Sequence, residues 1–283
     1  MDTLSRTWRL YKQSFAVLSA DAEILWFPVL SAVSAILLAA GVFIPLHRDG
    51  TLAAMRSGSA GWDGYLAVFT WYYLNYFIVI FFNSALVGCA SIRLSGGDPT
   101  AGDGLRIAVR RLRRIAVWAF VTATVGMVLS SLTNRRRGLL FRAVGTALSV
   151  GWTLITYLIV PVLILEDRPV FDSVRRSSEL FRKHWGEQVS GSFGFGILNL
   201  LLMLPAVLAG ALIWRYDRVG AVIVVVVYLL FLSAVSSAVK GIFTVALYRY
   251  ATEGVAPLGF SAESIDPGWK HGYRRLDHSA GIG

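Results

Sequence analysis

The sequence predicts an all-α membrane protein: six transmembrane helices as three helical hairpins, each preceded by a basic amphipathic interfacial helix. Three observations carry this. Of 283 residues, 55% are hydrophobic and only 16% charged, with a mean hydropathy of +0.60. A soluble domain carries about 25% charged residues. The apolar residues gather into six blocks, at 24–46, 65–92, 115–132, 143–165, 192–214 and 219–250. Each approaches or exceeds the roughly 20 residues a helix needs to cross a bilayer. Finally, each pair of blocks follows a segment in which apolar and basic residues separate at helical spacing.

The first such segment opens the chain. Leu4, Trp8, Tyr11, Phe15 and Leu18 form a stripe opposed by Arg6, Arg9, Lys12 and Gln13. Block 24–46 then ends in Val42, Phe43, Ile44 and Pro45 without a small-x-small cleavage pattern. It therefore reads as a retained span. Block 65–92 holds the aromatic run "FTWYYLNYFIVIFF" (69–82), expected to face lipid and pack helices. It also holds the single cysteine, Cys89, which reads as a small hydrophobe. "GGDPTAGDG" (96–104) is a turn in which Asp98, Thr100 or Asp103 is available to cap the next helix.

That helix is "GDGLRIAVRRLRRIAVW" (102–118). Leu105, Ala108, Val109, Leu112 and Ile115 share one arc; Arg106, Arg110, Arg111, Arg113 and Arg114 take the other, with Ile107 intruding among them. Block 115–132 contains "TATVG", whose Thr122 and Gly126 form a small-residue packing face. In block 143–165, Gly145 and Ser149 do the same, and Pro161 marks a kink. The third basic segment aligns Val170, Val174, Phe181 and Trp185 against Arg175, Arg176, Glu179, Arg182 and Lys183. Pro169 suits its start, and Asp172 suits its first turn. "GSFGFG" (191–196) reads as close packing in block 192–214, which carries Pro205. Block 219–250 carries Lys240, a charge well inside a span.

Residues 1–260 thus read as a single six-helix domain, and 261–283 as a polar cytoplasmic tail. Eighteen of the 27 lysines and arginines fall in the segments on the side of the termini. The positive-inside rule then places both termini in the cytoplasm. "NRRRG" (134–138), with Arg135, Arg136 and Arg137 on the outer side, is the dissenting segment. The net charge of +10 would suggest nucleic acid in a soluble protein. Here Ile115 begins a span directly after Arg114, so the arginine helix cannot leave the bilayer surface to enter a groove. Anionic headgroups are the expected partner, with a protein on the cytoplasmic face as a further one.

Several stretches together resemble an uncharacterised prokaryotic membrane family, domain of unknown function six-one-five-nine. They are "FFNSALVGCASIRLSGGDPTAGDGLRIAVRRL", "WAFVTATVG", "VPVLILEDRPVFDSVRRSSELFRKHWGE" and "GIFTVALYRYATEG". The resemblance implies a six-helix plasma-membrane protein and supplies no catalytic residue. The alternation of amphipathic helix and hairpin also looks distantly like the membrane portion of glycerophosphodiester phosphodiesterases, without their catalytic barrel.

The residues themselves offer no enzyme. All seventeen carboxylates lie outside the spans or at their edges, so no intramembrane acidic relay is seen. The histidines His47, His184, His271 and His278 lack metal-ligand spacing, and no cofactor or metal is expected. Asn75, Asn83 and Asn199 are span amides suited to interhelical hydrogen bonds. Lys240 reads as a side chain reaching back to the headgroups, or else as an anion-binding cation. The expected function is a non-enzymatic integral membrane protein, binding anionic lipid or a partner as a scaffold. Its contacts are Arg106, Arg110, Arg111, Arg113, Arg114, Arg175, Arg176, Arg182, Lys183 and Lys240. The alternative is a small-solute transporter or channel, lined by Lys240 and the span amides.

Overall fold

The computed structural model describes residues 3–57, 59, 61–133, 139–185 and 194–265, and among them every regular element is helical. Helix α1 (Thr3–Ala20) leads through a 3₁₀ turn (Ala22–Leu25) into α2 (Trp26–Arg48). A short helix that the sequence reading missed, α3 (Thr51–Ser57), follows, started by Asp49 accepting the Thr51 N–H at 3.0 Å. Then come α4 (Trp62–Leu94), α5 (Ala101–Arg110), α6 (Leu112–Thr133), α7 (Leu139–Ile155) and α8 (Ile159–Leu165). The chain continues as α9 (Val170–Trp185), α10 (Gly194–Trp214), α11 (Arg218–Glu253) and α12 (Ala262–Ile265).

Five helical stretches are long and apolar enough to cross a membrane: Ala22–Arg48, Trp62–Leu94, Leu112–Leu132, Leu140–Leu165 and Arg218–Glu253. Leu200–Trp214, within the fifth expected block, is a shorter apolar helix among the described residues.

Two expectations are corrected. The arginine helix is not continuous: α5 ends at Arg110, Arg111 sits in a turn, and α6 begins at Leu112. Its five arginines therefore divide over two helices and the joint between them. The fourth block is also two helices, broken at 156–158. Pro161 lacks an N–H and its ring crowds the carbonyl four residues back, so the α7 ladder cannot run through it. Ser177 of α9 repairs the break. Its hydroxyl donates to the Ile155 carbonyl at 2.8 Å and accepts the Leu158 N–H at 3.1 Å. Backbone groups freed in an apolar setting need such partners.

The chain forms two compact units, each of discontinuous segments. One comprises residues 1–25, 89–100 and 180–283. In it α1 packs on α10, α11 and α12, and α10 packs along α11. Gly210 makes that last approach close: a Cβ there would lie 2.5 Å from Val225. Helix α11 starts on Asp217, which accepts the Val219 N–H at 2.9 Å, and ends at Gly254 in a left-handed conformation (φ 72°). At the start of the expected polar tail, Ile265 is buried, Gln13 Nε2 donates to the Ser261 hydroxyl at 3.3 Å, and α12 packs on α1. The rest of that tail, with His271 and His278, lies outside the described residues.

The other unit comprises residues 26–88 and 101–179. Aromatic contacts join its spans: Phe43 with Trp71, Phe69 and Tyr73 with Phe120, and Trp118 with Trp152. Gly126 admits the Tyr76 hydroxyl, 3.0 Å from where a Cβ would stand. Gly88 likewise admits Ile107 of α5, whose Cδ1 would lie 3.0 Å from a Cβ. Burial is polarised along the long helices. The C-terminal halves of α4 and α11 are buried, while α2 and the first half of α11 are largely exposed apolar surface.

Candidate functional site

The basic residues singled out from the sequence lie on α5, on α9 and at the α5–α6 junction, apart from Lys240, which stands within α11. At 100° per residue, a helix with one apolar arc should bury that arc. Helix α5 buries Gly104 and Ala108 and packs Ile107, the residue that seemed to intrude, onto Gly88. Val109 and Leu112, from the expected arc, stay 56% and 41% exposed. Helix α1 behaves alike: Leu10, Ser14, Val17 and Leu18 are buried, about a quarter turn from the expected stripe, while Trp8 and Phe15 are exposed. In α9 the expected face is closer: Val170, Ser173, Ser177, Leu180 and Phe181 are buried.

The arginines fall into two sets. Arg111 and Arg114, each 27% exposed, both bind the Asp167 carboxylate, Arg114 Nη2 at 2.5 Å. Arg114 also donates to the Glu166 carbonyl at 3.4 Å. The Glu166 carboxylate, only 16% exposed, is held by Arg168 Nε at 2.5 Å and Arg176 Nε at 3.4 Å. Among the described residues, four guanidiniums thus pair with two carboxylates at the α5–α6 and α8–α9 junctions. Two donated hydrogen bonds, from Arg114 and then Arg111, hold the Asp167 carboxyl below the usual carboxylate range. Arg106 pairs with Asp103 at 3.3 Å, and Arg175 with Glu179 at 2.9 Å.

The second set has no ion pair among the described residues. Arg110, Arg113, Arg182, Lys183 and Lys240 are all exposed. Lys240 stands on an exposed stripe of α11 with Leu230, Ser233 and Ser237. Asn75 and Asn83 are half-buried and make no hydrogen bond among the described residues. Arg135–Arg137 and the side chains of His184 and Asn199 lie outside the described residues.

Sequence reasoning missed Glu166 and Asp167 as partners of the arginine helix. It also missed Asp21. This carboxylate, 7% exposed, faces Arg93 Nε at 3.1 Å, and Arg93 reaches Asp98 at 3.3 Å. The Asp21 Oδ2 has no hydrogen bond, so the contact is Coulombic. Burial pushes the Asp21 carboxyl up, against the pull of Arg93. The only signal for either contact was a carboxylate at a junction beside basic residues.

Among the described residues no group of three or more His, Cys, Asp or Glu is placed to hold a metal. Cys89 is buried and donates to the Thr100 carbonyl at 3.3 Å. No curated protein and no solved structure matches the chain, so the likeness to phosphodiesterase membrane portions gains no support from them. A family model does match, over residues 63–258, and by that match the chain belongs to the Family of unknown function (DUF6159).

Proposed function

We propose that this chain is a non-enzymatic, multi-pass integral membrane protein whose basic face binds anionic phosphate headgroups. In this reading α10 supplies a sixth crossing and the six crossings pair as three hairpins. Both termini then lie on the cytoplasmic side of a prokaryotic plasma membrane. The observation that carries the reading is the interleaving at the α5–α6 junction. Exposed Val109 and Leu112 alternate there with exposed Arg110 and Arg113, which have no ion pair among the described residues. In water such apolar exposure is unfavourable. At a bilayer surface the aliphatic groups enter the acyl boundary and the guanidiniums meet the headgroups.

Lys240 fits the same picture. The 36 residues of α11 span about 54 Å, against a hydrocarbon core of about 30 Å. Twenty-two residues into that helix, Lys240 is near the far edge of the core. Its exposed stripe supports a side chain reaching to headgroups over one lining a pathway through the chain.

The test is native mass spectrometry of the full chain, released from micelles holding equal phosphatidylglycerol and phosphatidylcholine. The expected result is preferential retention of phosphatidylglycerol, weakened by salt and by the combined variant R110Q/R113Q/R182Q/K183Q. Equal retention of the two lipids at low salt would overturn the reading.

A further inference from the structure

We infer that Arg111 and Arg114 form a phosphate-binding fork that Asp167 occupies from within the chain, as an internal competitor. The inference rests on the headgroup reading and assigns it a definite site. Its basis is an inversion of exposure. In an ordinary surface ion pair the long cation is the exposed partner. Here the two guanidiniums are recessed at 27% exposure each, and the carboxylate lies over them at 75%. One Asp167 oxygen, Oδ1, takes both guanidiniums. Two forks with five donors each are thus only partly used. A phosphate offers more oxygens to the same planar donors and, as a monoester, carries more charge than a carboxylate.

The neighbouring carboxylate behaves differently and explains why the fork is standing. Glu166, 16% exposed, is held through both of its oxygens, by Arg168 and Arg176. It anchors the α8–α9 junction, and Arg114 is tied to that junction through the Glu166 carbonyl. Among the described residues, four guanidiniums pair with two carboxylates here, an excess of positive charge that keeps the fork attractive to an anion with Asp167 in place. Departure of Asp167 costs little, because an ion pair so exposed contributes little to stability. Leu112, next in sequence to Arg111, and Val109, two residues before it, are exposed where the acyl chains of a bound phospholipid would lie.

The ligand class is a phosphate group, from a phospholipid headgroup or free in solution. Two probes separate the sources: inorganic phosphate, and phosphatidylcholine nanodiscs with or without phosphatidic acid. The full chain is used throughout, with a thermal melt confirming each variant is folded. Removing the internal competitor in D167N should tighten phosphate-group binding about two- to sixfold, the factor by which a weak exposed pair masks the fork. R111Q/R114Q should lose about tenfold or more. E179Q removes one exposed carboxylate of the same unit without touching the fork, and should change binding far less than D167N. Should D167N fail to fold, Asp167→Ser takes its place.

Tightening in D167N with phosphatidic acid alone identifies a headgroup site; tightening with inorganic phosphate as well identifies a general phosphate site. The proposal is overturned if folded D167N binds neither probe more tightly than wild type, or no more than E179Q does. If R111Q/R114Q keeps full lipid preference while the exposed-cation variant loses it, the fork fails and the headgroup reading stands. If wild type shows no anionic-lipid preference but D167N still tightens on inorganic phosphate, the fork stands and the headgroup reading fails.

Discussion

Ser177 offers the sharpest test of how the fold holds a broken span. Its hydroxyl joins α9 to the gap between α7 and α8, and its side chain is fully buried. In Ser177→Ala the Leu158 N–H, on a residue with no exposure, loses its partner. A buried donor left unsatisfied costs about 1–3 kcal/mol. The Ile155 carbonyl also loses its donor, on a residue 42% exposed, for about 0.5–1.5 kcal/mol more. Alanine returns about 0.5 kcal/mol of helix propensity in α9. The net expectation is a loss of about 1–4 kcal/mol, read by equilibrium unfolding in mixed micelles. Ser178, half-buried and without a hydrogen bond among the described residues, is the control, and its alanine variant should stay within about 0.5 kcal/mol. If Ser177→Ala also stays within that margin, the hydroxyl is not what repairs the break.

Gly210→Ala should cost about 1–3 kcal/mol, since the new Cβ meets the stiff Val225 side chain. Adding Val225→Ala should recover part of it, a coupling that a double-mutant cycle reads directly. Gly254→Ala forces a left-handed Cβ at the end of α11 and should cost about 1–2 kcal/mol in the same assay. Two carboxylates should give pH dependences of opposite sign. Asp21 is held up, so its folded form keeps a proton the unfolded chain has lost. The stability it contributes is fullest below the unfolded value and falls as pH rises through the folded one. Asp167 is held down, so its contribution is present above the unfolded value and is lost as pH falls through the folded one. Melting against pH should therefore show the wild-type advantage over Asp21→Asn shrinking upward, and that over Asp167→Asn shrinking downward.

Much of the helical layout was legible because apolar blocks and breakers act locally. Five expected spans coincide with apolar helices long enough to cross, and Pro161 marked the place where α8 separates from α7. The protein-facing side of the amphipathic helices was not legible. The apolar stripe of a sequence merges every apolar demand on a helix, and α1 and α5 have two. Leu10 and Val17 face the protein while Trp8 and Phe15 are exposed; Ile107 faces Gly88 while Val109 is exposed. The centre of the stripe lies between the two faces, so a single arc drawn around it is rotated from the buried one. The arginine partners were illegible for another reason. Asp167 lies 53 residues from Arg114 and Asp21 lies far from Arg93, and pairing over such separations depends on packing that spacing alone does not encode.

The five arginines of the α5–α6 segment illustrate how one charge pattern carries two physical roles. Topology needs only positive charge near a span, and lysine would serve as well. The positions nevertheless divide by environment. Arg110 and Arg113 are exposed without an ion pair among the described residues, which is enough for a field that follows headgroup charge and weakens with salt. Arg111 and Arg114 are recessed and converge on one oxygen, and Arg114 turns a second guanidinium N–H to the Glu166 carbonyl, which leaves planar donors that an ammonium lacks. Three residues apart, Arg111 and Arg114 lie on one side of a helical path, about 60° from each other, so both side chains reach the same carboxylate. The turn between α5 and α6 falls at the first of the pair, since α5 ends at Arg110 and α6 begins at Leu112.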